Sequence, residues 1–100
     1  MKDMNINEML KNAKRIQAEI EKDEKIIEKQ VFVVEKQGIK VTMTGERKIT
    51  EIIINEALID PEDPELVQDL VMLAVNEVLE EIATAYDKIG DKYSNSGMPF

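Results

Sequence analysis

Between Leu66 and Leu79 the sequence LVQDLVMLAVNEVL is apolar almost all the way round a helix. A surface helix of a globular protein usually carries one apolar stripe and keeps its other side wet. On a wheel of 100° per residue, Val67, Val71, Ala74, Val78, Ile82, Ala85 and Ile89 make one continuous stripe that can cover a sheet. Leu66, Leu70 and Leu73 fall on a second side, roughly 100° or more away, and Met72 and Leu79 fall on a third. Whatever this chain folds into has to cover all three sides. With 100 residues it forms one domain, which alone buries about two-thirds of its unfolded surface.

The rest of the chain supplies a small sheet and a second helix. Asn5 is a good N-cap with Glu8 three residues on, the spacing of a capping box. Ile6, Ala13, Ile20 and Ile27 then recur every seven residues, joined by Met9 and Ile16, while Asp23 breaks the third pairing. This predicts a helix of about 24 residues with a narrow apolar seam and a largely solvated surface, an arm or a pairing helix. Val31 to Glu35 is a short β-branched and aromatic run, and Gln37-Gly38 supplies a turn. Ile39, Val41 and Met43 alternate with Lys40, Thr42 and Thr44, the pattern of a half-buried antiparallel strand. After a second turn at Gly45 to Lys48, the run from Ile49 to Asn55 is apolar on more than one face, at Ile52, Ile53 and Ile54. Short turns between three strands predict a meander.

Asp63 as N-cap, Pro64 at the first position and Glu65 in the first turn start the last helix. It is expected to run to about Ile89, with Gly90 as its left-handed C-terminal cap. The ten residues DKYSNSGMPF, 91–100, read as a polar, flexible tail. The fold class expected is therefore α+β in the order α-β-β-β-α, with one domain over residues 1–90. The sheet cannot cover the last helix on all sides, and the third strand also has apolar residues to spare. A large exposed patch is usually an interface, and the economical cover is a second copy related by two-fold symmetry. Burial of the helix within a monomer is the alternative. The expected interface residues are Ile52, Ile54, Leu66, Leu70 and Leu73.

Chemistry is sparse. There is no Cys, no His and no Trp, which removes thiolate nucleophiles, imidazole bases, disulfides and the usual zinc ligands. The carboxylates Asp60, Glu62, Asp63 and Glu65 lack the mid-loop glycine of a calcium-binding EF-hand, and the prolines among them suit a turn and a helix start. No phosphate-binding glycine loop or nucleophile–base pair is present. The sequence predicts no enzyme, no cofactor or metal and no small-molecule substrate. MKDMNINEML is not a signal peptide, and no stretch approaches the roughly 20 apolar residues of a membrane span. A soluble intracellular protein without a membrane partner is expected.

Charge is uneven. The net is −8, but residues 1–30 balance, residues 31–55 carry +1 and residues 56–100 carry −9. On the first helix Lys11, Arg15, Lys22, Lys25 and Lys29 form a stripe away from the apolar seam, with Lys14 beside it. Such a rod can lie along a phosphate backbone. Lys40, Arg47 and Lys48 extend the candidate DNA-contacting set. A solvated face is the plainer reading of these charges, since Glu21 and Lys25 form a favourable i,i+4 pair.

The whole pattern resembles a known family. The long helix, the meander with GIKVTMTGERKITEIIIN, the stretch LIDPEDPELVQDLVMLAVNEVLEE and the closing GMPF are similar to the YbaB/EbfC family of bacterial nucleoid-associated proteins. The most specific parts are Val41 with Gly45, Asp60 to Asp63, Asp69-Leu70 and Ala74 to Glu77. The resemblance implies a homodimer with helical arms shaped like tweezers, binding double-stranded DNA in the cytoplasm and nucleoid and serving nucleoid organisation and gene regulation. A reading of a different class is an acidic adaptor or DNA mimic, presenting Glu65, Asp69, Glu80 and Asp87 to a basic protein.

Overall fold

The structure is a computed structural model, and it describes residues 5–94. Helix α1 spans Ile6–Lys29, strands β1, β2 and β3 span Val31–Lys36, Ile39–Thr44 and Ile49–Ile54, and helix α2 spans Pro64–Tyr93, with a short 3-10 turn at Glu56–Leu58 between β3 and α2. The strands form an antiparallel meander in the order β1-β2-β3. The α-β-β-β-α order expected from the sequence is the order observed.

Local chemistry accounts for the boundaries. The Asn5 side chain accepts the Glu8 N–H at 2.8 Å, so the first turn of α1 has its cap. Gln37 and Gly38, the two residues between Lys36 and Ile39, both have positive φ, as a tight type I′ hairpin demands. Asp63 takes the N-cap position of α2 but its side chain makes no capping bond. The working side chain is three residues earlier: Asp60 accepts the Glu62 N–H at 2.9 Å, and its carbonyl accepts from Asp63 N at 3.0 Å. Pro64 then enters the helix, where its missing N–H costs nothing.

The core lies between one sheet face and α2. Phe32 and Val34 of β1 and Ile39, Val41 and Met43 of β2 point to that face, and Ala74, Val78, Ile82 and Ile89 of α2 meet them. The stripe read from the sequence is thus the sheet-facing stripe. Ile39, Val41, Val78 and Ile82 are fully buried. No buried polar or charged residue sits among the described residues, so this core is held by apolar packing, with Phe32 its one buried aromatic ring among the described residues.

One boundary differs from the expectation. Gly90 does not cap α2; the helix continues through it to Tyr93. Gly90 does not have a positive φ, and a Cβ there would meet nothing within 4 Å. Tertiary contacts on both sides of the glycine explain the extension: Ile89 before it is buried in the core, and Lys92 and Tyr93 beyond it bond to α1. Asp91, Lys92 and Tyr93 therefore belong to the helix and not to a flexible tail. The rest of the expected tail, from residue 95, lies outside the described residues.

The molecule is long and thin, 74 × 20 × 14 Å, with a radius of gyration of 20.6 Å. A compact domain of this length would have a radius near 13 Å. The difference comes from α1, which is about 36 Å long at 1.5 Å per residue and leaves the body as an arm. Between Ile6 and Arg15 every residue is exposed. Ile16 and Ile27 are buried on the inner side. The narrow seam does the work predicted of it only over the half of the arm nearer the body.

Candidate nucleic-acid interface

Lys11, Lys14, Arg15, Lys22, Lys25 and Lys29 are all exposed. Helix geometry puts the five lysines roughly opposite Ile16 and Ile27, facing away from the body, and Arg15 on the flank beside them. Arg15 is held by Glu19 at 3.3 Å, one turn along. Among the described residues, no carboxylate pairs with the five lysines within ion-pair distance. Ala18, Glu21 and Ile26 line a shallow groove together with Lys22, Lys25 and Lys29, and Ile26 is 60% exposed there. From Lys11 to Lys29 the stripe runs about 27 Å.

The three cations beyond the arm are differently placed. Lys40 lies 3.9 Å from Glu51 on the sheet face away from α2, and Lys48 lies 3.7 Å from Glu46. Arg47, itself at positive φ, stands 5.1 Å above the Tyr86 ring. The arm and these strand and turn cations do not form one continuous patch of unpaired charge.

The root of the arm is built around Gly45. Its N–H donates to Gln30 O at 2.9 Å, just past the end of α1, and its carbonyl accepts the Tyr86 hydroxyl at 2.9 Å. A Cβ at this position would lie 1.7 Å from the Ile27 carbonyl oxygen; only glycine lets the β2–β3 turn come this close to α1. Burial, with Glu28 adding to it, raises the Tyr86 pKa above its ordinary value.

Further out, Asp23 ties the arm to the end of α2. Lys92 Nζ donates to Asp23 Oδ2 at 3.0 Å, and the Tyr93 hydroxyl donates to the same oxygen at 2.8 Å. Lys92 also lies 5.2 Å from the Tyr93 ring. The hydrogen bonds from Lys92 and then Tyr93 hold the Asp23 carboxyl below its usual range. The bond to Asp23 raises both Lys92 and Tyr93. Sequence reading registered Asp23 only as a break in the seam. A carboxylate on an apolar helix seam needs a partner, and that need was the available signal. The partners could not be named because they lie about 70 residues away, past the glycine that reads as a helix end.

The expected interface residues divide into two groups. Ile52 and Ile54 are opposite Val41 and Ile39, on the helix-facing side of β3. Helix α2 lies over β1 and β2 and leaves β3 largely uncovered, with Ile49, Ile52 and Ile53 exposed. Leu70 and Leu73 border Lys36 and Gln37 at the β1–β2 turn, on the flank of α2 where Glu77 pairs with Lys36 at 3.4 Å. Leu66 shares that flank by helical spacing and is exposed, as is Leu73 at 61%. Met72, Val75 and Leu79 lie on the other flank, towards β3. The five residues thus mark two apolar surfaces on opposite flanks of α2.

A meander backed by one long helix, with a second helix projecting as a lysine-lined arm, defines an elongated α+β protein whose arm suits a polyanion. The sequence matches the profile of the YbaB/EbfC DNA-binding family over residues 1–98, and the chain belongs to that family. A nucleoid-associated protein of Metamycoplasma arthritidis is 67% identical over 95 residues, covering 95% of this chain and all of that one. A nucleoid-associated protein of Mycoplasmopsis pulmonis is 47% identical over the full length of both. One from Lactobacillus acidophilus is 36% identical over 97 residues, covering 95% of this chain and 87% of that one. These relatives are bacterial and are named for the nucleoid. No helix among the described residues is long and apolar enough to cross a membrane.

Proposed function

We propose that the protein is a homodimer that binds double-stranded DNA in the bacterial cytoplasm and nucleoid, serving nucleoid organisation and gene regulation by binding and not by catalysis. The observation that carries this reading is the row Lys11, Lys14, Lys22, Lys25 and Lys29, exposed on the outer face of the arm and, among the described residues, without a carboxylate at ion-pair distance. A stripe about 27 Å long spans roughly eight base pairs at 3.4 Å each. Lysines without carboxylate partners can neutralise phosphates without first breaking an ion pair, whereas Arg15, Lys40 and Lys48 have one to give up. The contacts are to backbone and groove shape, which position a protein without reading bases. The dimer covers apolar surface on Ile52 and Ile54, or on Leu66, Leu70 and Leu73, and sets two arms in a symmetric pair. The domain is the unit of residues 1–90 extended to the end of α2.

A gel shift with random duplex tests the reading. With about six phosphates neutralised, affinity falls by roughly a thousandfold between about 50 and 200 mM salt. Absence of binding at 50 mM salt contradicts it and favours the acidic face of Glu65, Asp69, Glu80 and Asp87 as a surface for a basic protein.

A further inference from the structure

We propose that Asp23 is a positioning residue for DNA binding: by bonding Lys92 and Tyr93 at the end of α2 it fixes the direction of the arm, and it does so without touching DNA. The proposal rests on the DNA reading above and adds to it a residue whose charge is of the wrong sign for a contact. Two polar anchors of the arm join described residues to one another. One is its root, where Gln30 meets Gly45. The other is Asp23, about 10 Å further out along the helix. Ile20 and Ile27 also pack on the core, and Ile16, further out than Asp23, is buried on the inner side, but apolar contacts are non-directional. Two hydrogen bonds to one carboxylate oxygen, at 3.0 and 2.8 Å, set an angle as well as a distance.

Leverage makes the anchor matter. Lys11 is about 27 Å beyond the root, so a swing of about 10° moves it roughly 5 Å. That exceeds the 3.4 Å rise between successive nucleotides on a strand. An arm free to swing has to be ordered on each binding event, and preorganisation removes that cost. Electrostatics alone predicts the opposite sign. Asp23→Asn removes a negative charge from the arm, beside Lys22, and by charge arithmetic strengthens attraction to phosphate.

The experiment uses the full chain and two readouts. Duplex affinity is measured at about 100 mM salt for the wild type, Asp23→Asn, Asp23→Glu and Tyr93→Phe. The expected result is a loss of about tenfold for Asp23→Asn, a smaller loss for the charge-neutral Tyr93→Phe, and partial recovery with Asp23→Glu. Equal or tighter binding by Asp23→Asn overturns the proposal. The second readout needs no DNA. The chain has no cysteine, so Asn7→Cys and Glu62→Cys give a unique pair of spin labels, on the arm and on the body. The labelled chain is diluted with unlabelled chain to isolate intramolecular distances. Asp23→Asn should broaden the distance distribution, and an unchanged distribution overturns the proposal. Should the wild type fail to bind duplex, the DNA reading falls and the label distances still decide whether Asp23 fixes the arm.

Discussion

Replacing Gly45 by alanine is the sharpest single test of how the arm is attached. The new Cβ would lie 1.7 Å from the Ile27 oxygen, 2.5 Å from its carbonyl carbon and 3.0 Å from Glu28 Cα. All three are backbone atoms, so no side-chain rotation relieves the clash; α1 and the turn must separate by at least about 1.7 Å to reach ordinary contact. That displacement strains the Gly45 N–H bond to Gln30 and the bond from the Tyr86 hydroxyl, both 2.9 Å long. Overpacking of this kind costs about 1–3 kcal/mol, and each hydrogen bond lost about 1 kcal/mol more. A total near 3–5 kcal/mol is a large share of the roughly 5–15 kcal/mol that holds a domain together. At about 4–8 °C per kcal/mol for a chain of this size, the melting temperature should fall by at least about 12 °C. Calorimetry or far-ultraviolet circular dichroism at matched protein concentration measures it; matching matters because an oligomer's melting depends on concentration. A drop of less than about 4 °C would show that the turn does not seat the arm as described.

The other glycine should behave in the opposite way. Gly90→Ala adds a methyl group in open space inside a continuous helix and should stabilise by about 0.5–1 kcal/mol, raising the melting temperature by a few degrees; a decrease would argue for the helix end that the sequence suggests. Ile52→Asp and Leu70→Asp each place a charge on one of the two apolar surfaces flanking α2, and the variant whose mass by light scattering drops towards the 11.4 kDa chain mass identifies the surface of the proposed dimer; masses unchanged from the wild type in both would remove both surfaces from consideration. The Asp23 anchor is expected to hold from about pH 5 to 9. Its carboxyl is depressed, so that contribution is present above the ordinary carboxylate value near 3.9 and is lost as pH falls through the lower folded value. Lys92 is raised, so its contribution is present below about 10.4 and is lost as pH rises through the higher folded value. A difference in melting between wild type and Asp23→Asn that changed between pH 5 and 9 would contradict this assignment.

Both helices and β2 were legible because each carried a period, while β1 and β3 were read from β-branched runs between turns. Seven-residue recurrence from Ile6 to Ile27 gave α1, alternation from Ile39 to Thr44 gave β2, and the stripe from Val67 to Ile89 is the one that meets the sheet. What escaped the sequence was long-range. Gly90 carries the local signature of a cap, and contacts made by Lys92 and Tyr93 across the fold overrode it. Gly45 stood out as a pattern, but its reason, the approach of a carbonyl from α1, exists only in three dimensions. Ile52 and Leu70 both read as surplus apolar surface, and no periodicity could tell that they sit on opposite flanks of α2. Basic residues were legible as a stripe on the arm, but their partners were not: the expected Glu21–Lys25 pair is absent from the ion pairs of the described residues, Glu21 accepts from Gln17 instead, and the pair that forms is Arg15 with Glu19.

The proposed function stands or falls on the arm as the part that contacts duplex DNA. Its most direct test is the salt dependence of duplex binding for the wild type against a variant with Arg15, Lys22 and Lys25 all changed to Glu. These three side chains are exposed and away from the buried side of α1, so the variant should keep its mass and melting temperature. The account predicts a steep wild-type slope of log affinity against log salt, at about 0.9 per phosphate neutralised, and no measurable binding by the variant at 50 mM salt. Wild-type affinity and slope in the triple variant would contradict the account and move the DNA contacts to Lys40, Arg47 and Lys48.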